Sequence, residues 1–167
     1  ILYDFLDDNP RCATYPVSYT NKPAIAAAND NLITINNAIE VDLYGQVCSE
    51  SSGFRQITGT GGQLDFVLAG YESKGGKSFV CLPSSYKDKE GNIKSRIVPY
   101  LPPGGIVTVS RTIAHIFVTE YGTFNVKGMN TWQRAEGLIN ISHPDTRDEL
   151  IKAAEAQNIW RRSNKKG

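Results

Sequence analysis

At 167 residues, with 40% apolar, 10% aromatic and 21% charged side chains, the chain has the make-up of one ordinary globular domain, long enough to bury about two-thirds of its unfolded surface. A net charge of +1 gives no electrostatic case for nucleic acid, a membrane surface or an acidic partner. No apolar run approaches the ~20 residues of a transmembrane helix, and no signal-peptide pattern opens the chain. Cys12, Cys48 and Cys81 are odd in number, far apart and free of C-x-x-C spacing. They argue against a disulfide scaffold or a zinc site and point to a reducing, cytoplasmic setting. Each reads as a small packed hydrophobe rather than a nucleophile. A start at Ile1 rather than Met leads us to expect a piece of something longer.

Residues 1–6 read as a short helix that Asp7, Asp8, Asn9 and Pro10 stop. Pro16 and Pro23 keep the chain extended around Tyr19-Thr20-Asn21. Residues 24–28 make a helical turn or two, closed by Asn29-Asp30-Asn31. Residues 32–36 and 38–43 alternate with period two, the mark of strands. Gly45 interrupts the second, and residues 47–49 are expected to resume it beyond a bulge. Glu40 and Asp42 share a face that should be solvated or paired with basic groups.

Thr58-Gly59-Thr60-Gly61-Gly62 comes next, feeding a short helix over 63–70. Three glycines in four residues allow positive φ and close backbone approach. A glycine turn that enters a helix leaves backbone N–H groups free for a phosphate, a carbonyl oxygen or an oxyanion. No Gly-Lys-Ser/Thr follows, so this is not a Walker A loop, and the glycine spacing is wrong for the dinucleotide fingerprint. The residues alone leave two readings open, a plain tight turn or a ligand-contacting loop.

Lys74-Gly75-Gly76 leads into an apolar strand over 77–82 that Pro83 ends. Residues 86–94 are charged and carry the surface turn Glu90-Gly91-Asn92. A short strand over 96–100, a rigid corner at Pro102-Pro103-Gly104-Gly105, and β-branched strands over 106–110 and 116–120 follow. Residues 131–139 form a helix capped by Thr131. Asp145 is expected to cap a last helix from 146 to about 159, with Leu150, Ile151 and Ala154 inward. From Arg161 the basic, polar sequence reads as a fraying tail. There is no internal repeat and no linker. The sum is an α/β domain with an open mixed sheet flanked by helices.

Glu120 and Tyr121 stand at a strand end before Gly122, where ligand-contacting groups of α/β sheets gather; the bland alternative is that Glu120 pairs with Arg111 or Arg134. His115 and His143 lack a metal partner at the usual spacing and read as structural. Ser84, Ser85 and Ser95 sit in no nucleophile elbow.

An ordered series of segments carries more information. It runs through residues 35–47, Gly61-Gly62-Gln63-Leu64-Asp65-Phe66, Ser73-Lys74-Gly75-Gly76-Lys77 and Ser95-Arg96-Ile97-Val98-Pro99, then Val118-Thr119-Glu120-Tyr121-Gly122 and His143-Pro144 with Arg147. Over nearly its whole length the chain resembles the C-terminal domain of the acetyl-CoA hydrolase/CoA-transferase family, nearest the 4-hydroxybutyrate and butyryl-CoA:acetate CoA-transferases. The resemblance implies a single CoA-transferase (NagB/RpiA-like) domain over 1–167, one of two similar α/β domains with the active site between them. It implies transfer of CoA from an acyl-CoA to a small carboxylate of the acetate, butyrate or 4-hydroxybutyrate class through a glutamyl-CoA thioester. CoA and acyl-CoA are then substrates rather than a resident cofactor, and no metal, nucleic acid or membrane is involved. The partners it implies are the N-terminal domain of the same enzyme and a second subunit in a homodimer.

The nucleophilic glutamate is expected upstream of Ile1, so Glu40, Glu50 and Glu120 are not drafted into its place. What the resemblance assigns here is oxyanion stabilisation by the Gly61 and Gly62 amides, a role worth roughly 3 kcal/mol. Asn21 is similar to an asparagine that contacts CoA, and Lys77 to a lysine near the CoA phosphates. Cys48 departs from a usual asparagine, and a thiol hydrogen-bonds poorly, which touches substrate preference. Two alternatives stand beside the transferase: an acyl-CoA (acetyl-CoA) hydrolase of the same family, or a non-catalytic CoA-binding or interaction module.

Overall fold

The computed structural model describes residues 1–160. Three short helices, α1 (Leu2–Leu6), α2 (Val17–Thr20) and α3 (Pro23–Ala27), precede β1 (Ile33–Asn37). After β1 come β2 (Glu40–Asp42), β3 (Val47–Cys48) and the small hairpin β4 (Ser51–Ser52) and β5 (Arg55–Gln56). Helix α4 (Gln63–Glu72) returns the chain to β6 (Lys77–Cys81). The hairpin β7 (Ser85–Lys87) and β8 (Ile93–Ser95) leads through β9 (Ile97–Val98) to β10 (Ile116–Thr119) and β11 (Gly122–Asn125). Helices α5 (Thr131–Asn140) and α6 (Pro144–Ala156) complete the described chain.

The main sheet has the order β1-β6-β10-β11. Its first three strands are parallel and β11 is antiparallel to β10, so the sheet is mixed, as expected. A second sheet has the order β3-β2-β9, with β2 antiparallel to β3 and parallel to β9. Alternation along the strands puts Thr34, Ser78, Val80 and Phe117 on one face of the main sheet. Helix α4 lies against that face so closely that a Cβ on Gly70 would stand 2.7 Å from Thr34 Oγ1 and 3.1 Å from the Lys77 carbonyl. Helix α3 packs beside α4, and α5 covers the Phe124 end, where Gly137 meets the aromatic ring. The core between these layers is continuous, from Val41, Leu43 and Val47 through Val67, Val80 and Phe117 to Leu138 and Leu150.

Several expectations need correcting. Residues 47–49 do not prolong β2 past a bulge. Gly45, at φ +88, turns the chain back, and β3 returns antiparallel on β2. Residues 106–110 form no strand; only Val109 bridges, to Val47. The Thr108 hydroxyl there is committed to Glu50 Oε2 at 2.8 Å and to the Ser49 N–H at 3.0 Å, which holds the segment as a loop. β11 lacks the β-branched run that marks the other strands and was not anticipated. The cap of α5 is Asn130, not Thr131, in a reciprocal box with Gln133. The cap of α6 is His143, whose Nδ1 accepts the Asp145 N–H, with Pro144 in the first turn. Leu150 and Ala154 are buried and Ile151 packs against the core, as the spacing predicts. The tail from Arg161 lies outside the described residues.

Glu40 and Asp42 are not solvated. Asp42 is 1% exposed and accepts the N–H groups of Tyr44 and Gln46 and the Gln46 side-chain amide, at 3.0, 2.9 and 2.6 Å. Burial pushes the Glu40 carboxyl above its ordinary value, and the Arg96 charge offsets this in part.

The contact under Gly70 includes backbone, which cannot swing aside. Gly70→Val should therefore lower stability by about 1–3 kcal/mol in urea unfolding. An unchanged midpoint would mean that α4 does not rest on β1 and β6 as described.

Candidate functional site at the glycine turn

Gly59, Thr60 and Gly61 are exposed. Gly61 has φ +53 with open space where a side chain would begin, the conformation a glycine adopts without strain. Gly62 occupies the N-cap position of α4, and no side chain caps that helix. Among the described residues neither the Gly61 nor the Gly62 amide has an acceptor. With the first-turn amides of α4 they form a patch of partial positive charge facing outward. Asn21 closes over it: a Cβ on Gly62 would meet Asn21 Nδ2 at 2.6 Å. The Asn21 backbone N–H is tied to the Val17 carbonyl at the end of α2, and its side-chain oxygen accepts the Thr20 hydroxyl. Asn21, Gly61 and Gly62, remote in sequence, are thus brought together.

Gln63 fastens this patch to the sheet. Its side chain is 9% exposed, and its amide donates to the Asn37 carbonyl at 3.3 Å. Asn37 ends β1, so the glycine turn stands just beyond the carboxyl end of a parallel strand, where open α/β sheets bind ligands. Asn37 also borders a hollow of about 320 Å³ over the carboxyl ends of β1, β6 and β10, lined by Cys81, Leu82, Val118 and Glu120. A larger cavity of about 430 Å³, between the β7–β8 hairpin, β9 and α6, contains none of the expected site residues.

Glu120 pairs with neither Arg111 nor Arg134. It accepts the Ser84 N–H at 2.9 Å and the Ser84 hydroxyl at 2.6 Å, while Arg134 donates to the carbonyls of Met129, Tyr44 and Arg111. Partial desolvation pushes the Glu120 carboxyl up, but the Ser84 hydrogen bonds outweigh it and hold the group below the usual carboxylate range. It is therefore an anion at neutral pH, already engaged by its own chain. Lys77 is exposed at the first position of β6, opposite Ile33, at the other end of the strands from Gly62. The fold does not bring it to the glycine turn. The buried Cys48 thiol points inward to the Ser51 carbonyl and hydroxyl, at 3.2 and 3.4 Å.

Residues 1–154 match the acetyl-CoA hydrolase/transferase C-terminal domain. The chain belongs to that family. It is 62% identical over 164 residues to the butyryl-CoA:acetate CoA-transferase of Anaerostipes caccae, a match covering 98% of this chain and 37% of that protein. It is 47% identical over 150 residues to the 4-hydroxybutyrate coenzyme A transferase of Clostridium kluyveri, covering 90% and 34%. The crystal structure of RipA from Yersinia pestis superposes with a TM-score of 0.83 at 42% identity, over 95% of this chain and 35% of that one. The chain thus spans little more than a third of the length of these relatives.

Within this acetyl-CoA hydrolase/transferase domain, sequence reasoning missed Gln63, Asn37 and Ser84 as the groups that hold the site in shape. A buried glutamine directly after a glycine pair was the available signal for the first. Both histidines are structural, as expected. His115 is 6% exposed; its Nδ1 accepts the Ser78 N–H at 3.4 Å, and its ring meets the Tyr71 ring at 5.6 Å. Burial, then the charges of Lys127 and Lys77, push His115 below its ordinary value. As pH falls through the ordinary histidine value of about 6.5, the unfolded chain takes up a proton before the folded one does. The stabilising contribution of neutral His115 is present above that value and is lost as pH falls toward the depressed one. Between pH 7 and pH 5 the melting temperature should drop further in the wild type than in His115→Gln. Parallel melting curves across that range would contradict the assignment.

Proposed function

We propose that this domain forms one wall of a CoA-transferase active site, in which the Gly61 and Gly62 amides receive the thioester carbonyl oxygen of a bound acyl-CoA. The observation that carries this reading is the pair of acceptor-free amides at an uncapped helix start, beyond the carboxyl ends of parallel strands, with the Asn21 amide directly over Gly62. Attack by a carboxylate on a thioester moves an electron pair onto the carbonyl oxygen. Fixed N–H donors bind that oxyanion more strongly than the neutral carbonyl and so lower the barrier. Collapse of the intermediate breaks the C–S bond and leaves an acyl–glutamyl anhydride with CoA thiolate. The thiolate then attacks the glutamyl carbon, releases the first acid, and leaves the enzyme as a glutamyl-CoA thioester for the acceptor carboxylate.

In this reading residues 1–167 are the C-terminal domain, and the nucleophilic glutamate belongs to polypeptide outside them. Relatives much longer than this chain support that division. Asn21 carries both donors and an acceptor, which suits the amide-bearing arm of CoA beside the thioester. Lys77 is left to the far end of an extended ligand, where a flexible ammonium suits a phosphate. The 62% identity to a butyryl-CoA:acetate CoA-transferase favours a short acyl chain and a small carboxylate acceptor. We place the enzyme in the cytoplasm, as a homodimer with no resident cofactor. Among the described residues no helix is long and apolar enough to cross a membrane.

Incubating the full-length protein with butyryl-CoA, trapping the thioester with borohydride or hydroxylamine and mapping the peptides should locate one modified glutamate outside these 167 residues. Modification of Glu40, Glu50 or Glu120, or hydrolysis of the acyl-CoA with no acceptor dependence, would overturn the transferase reading. Gly62→Val drives a side chain into Asn21 Nδ2 and should cut turnover about 100- to 1,000-fold with an unchanged circular dichroism spectrum. Near-normal turnover would remove the oxyanion assignment.

A further inference from the structure

Among the described residues the main sheet has one covered face and one bare face. On the reverse of the surface under α4 and α5, Ile33 and Ile35 are 52% and 70% exposed. Phe79, Cys81, Ile116 and Val118 continue that side in register and are half-buried. Parallel strands belong to sheets covered on both faces, and a contiguous apolar patch marks a contact surface. β1 is also one of the two outer strands, β11 being the other. The Lys77 N–H bonds to the Leu32 carbonyl and the Ala38 N–H to the Cys81 carbonyl. These set the alternation, so Ile33, Ile35 and Asn37 turn their N–H groups toward the empty edge.

Handedness limits what can fill both gaps. Crossovers between parallel strands are right-handed. Going from β1 to β6 in one direction, the crossover helix α4 lies on the covered face. Strands laid down outward from β1 in the other direction must put their helices on the bare face. A second copy of this chain meets only half of the demand: edge to edge through a two-fold axis, it would pair β1 antiparallel with β1 and leave both faces bare. The chain covers 37% of the butyryl-CoA:acetate CoA-transferase it matches, so relatives of this length have ample polypeptide to supply both a strand and a helix.

We propose that polypeptide of the same protein outside these 167 residues pairs a parallel strand with the free edge of β1 and lays a crossover helix across the face formed by Ile33, Ile35, Phe79, Cys81, Ile116 and Val118. This rests on the reading of the chain as one part of a longer enzyme and adds where the missing part docks. β1 then becomes the strand at which the winding of the sheet reverses, and the crevice at such a reversal opens at the carboxyl ends. That is where Asn37, Gln63 and the Gly61–Gly62 amides stand. A residue at the carboxyl end of the incoming strand would face the oxyanion donors across the seam.

Hydrogen exchange on the full-length protein tests this without substrate. The Ile33 and Ile35 amides, which have no partner among the described residues, should exchange on the order of 1,000-fold more slowly than free amides. Fast exchange at both would overturn the proposal, as would protection that vanishes on dilution to the monomer, which would put a second copy on the edge. In the same protein Ile35→Asp should lower the melting temperature by several degrees, and Phe54→Asp, at an 88% exposed site elsewhere, should leave it unchanged. Equal effects of the two substitutions would also overturn it. Neither readout depends on catalysis, so protected amides in a protein inert toward acyl-CoA would sink the CoA-transferase reading and leave the docking surface standing.

Discussion

Two parallel strands cannot be joined by a tight turn, and that constraint organises this domain. β1 and β6 lie side by side and run the same way, so the chain must travel back along the sheet between them. Helix α4 makes the return. It has to begin beyond the carboxyl end of β1 and finish near the start of β6, which decides where both Gly62 and Lys77 can be. The small surfaces of Thr34, Ser78 and Gly70 let the helix sit close to the strands. The Gln63 amide then pins its first turn to the last carbonyl of β1. The glycine turn stands at the mouth of the sheet because the topology leaves it nowhere else to go.

The helix starts differ within this one chain in a telling way. α5 closes its first turn with the Asn130–Gln133 box, and α6 closes its own with the His143 imidazole. α4, ten residues long like α5, begins on glycine and has no side-chain cap for its amides. A serine or aspartate at Gly62 would stabilise the helix by a few tenths of a kcal/mol relative to glycine. It would also fill the space in front of the amides and push against Asn21. At this helix start beyond the carboxyl end of β1 the chain forgoes a local stabilisation, and the uncapped amides are left open to an external oxygen.

The parts of the fold that were legible in the sequence are those with a clear period. Residues 32–36 alternate and become β1 one residue later, the helix read over 63–70 after the glycine turn is α4, and Leu150 and Ala154 fall inward where the pattern puts them. Where the pattern failed, partners distant in the chain had taken over. Residues 106–110 have the composition of a strand, but Glu50 and Ser49 claim Thr108. β11 carries only one large apolar residue and exists because β10 offers it a ladder. Asp42 looked solvated because its partners lie in a turn that only Gly45 makes possible. The site divides in the same way. A glycine pair before a helix could be read directly, whereas the approach of Asn21 to Gly62 could not, since α2 and α4 have no common period. Lys77 came from the same resemblance as Asn21, yet it starts the strand that α4 leads into and so falls at the far end.

A seam inside a single sheet is a stricter arrangement than a cleft between two hinged domains. Paired strands are held ~4.8 Å apart by their hydrogen-bond ladder, and the position of a group at the end of one strand relative to the next is fixed to a fraction of that. Oxyanion donors discriminate between a carbonyl and a tetrahedral intermediate only if they are held to comparable tolerance. Here the Gly61 and Gly62 amides, the donors in the proposed reaction, hang from β1 through Gln63 and Asn37. A nucleophile borne by a strand paired to the same β1 would share that reference frame, and a motion that opened the site to substrate would not shift one against the other. In the proposed arrangement the exposed Ile33 and Ile35 are the other side of the same design: the apolar face to be covered lies on the strand that would align the two halves of the chemistry.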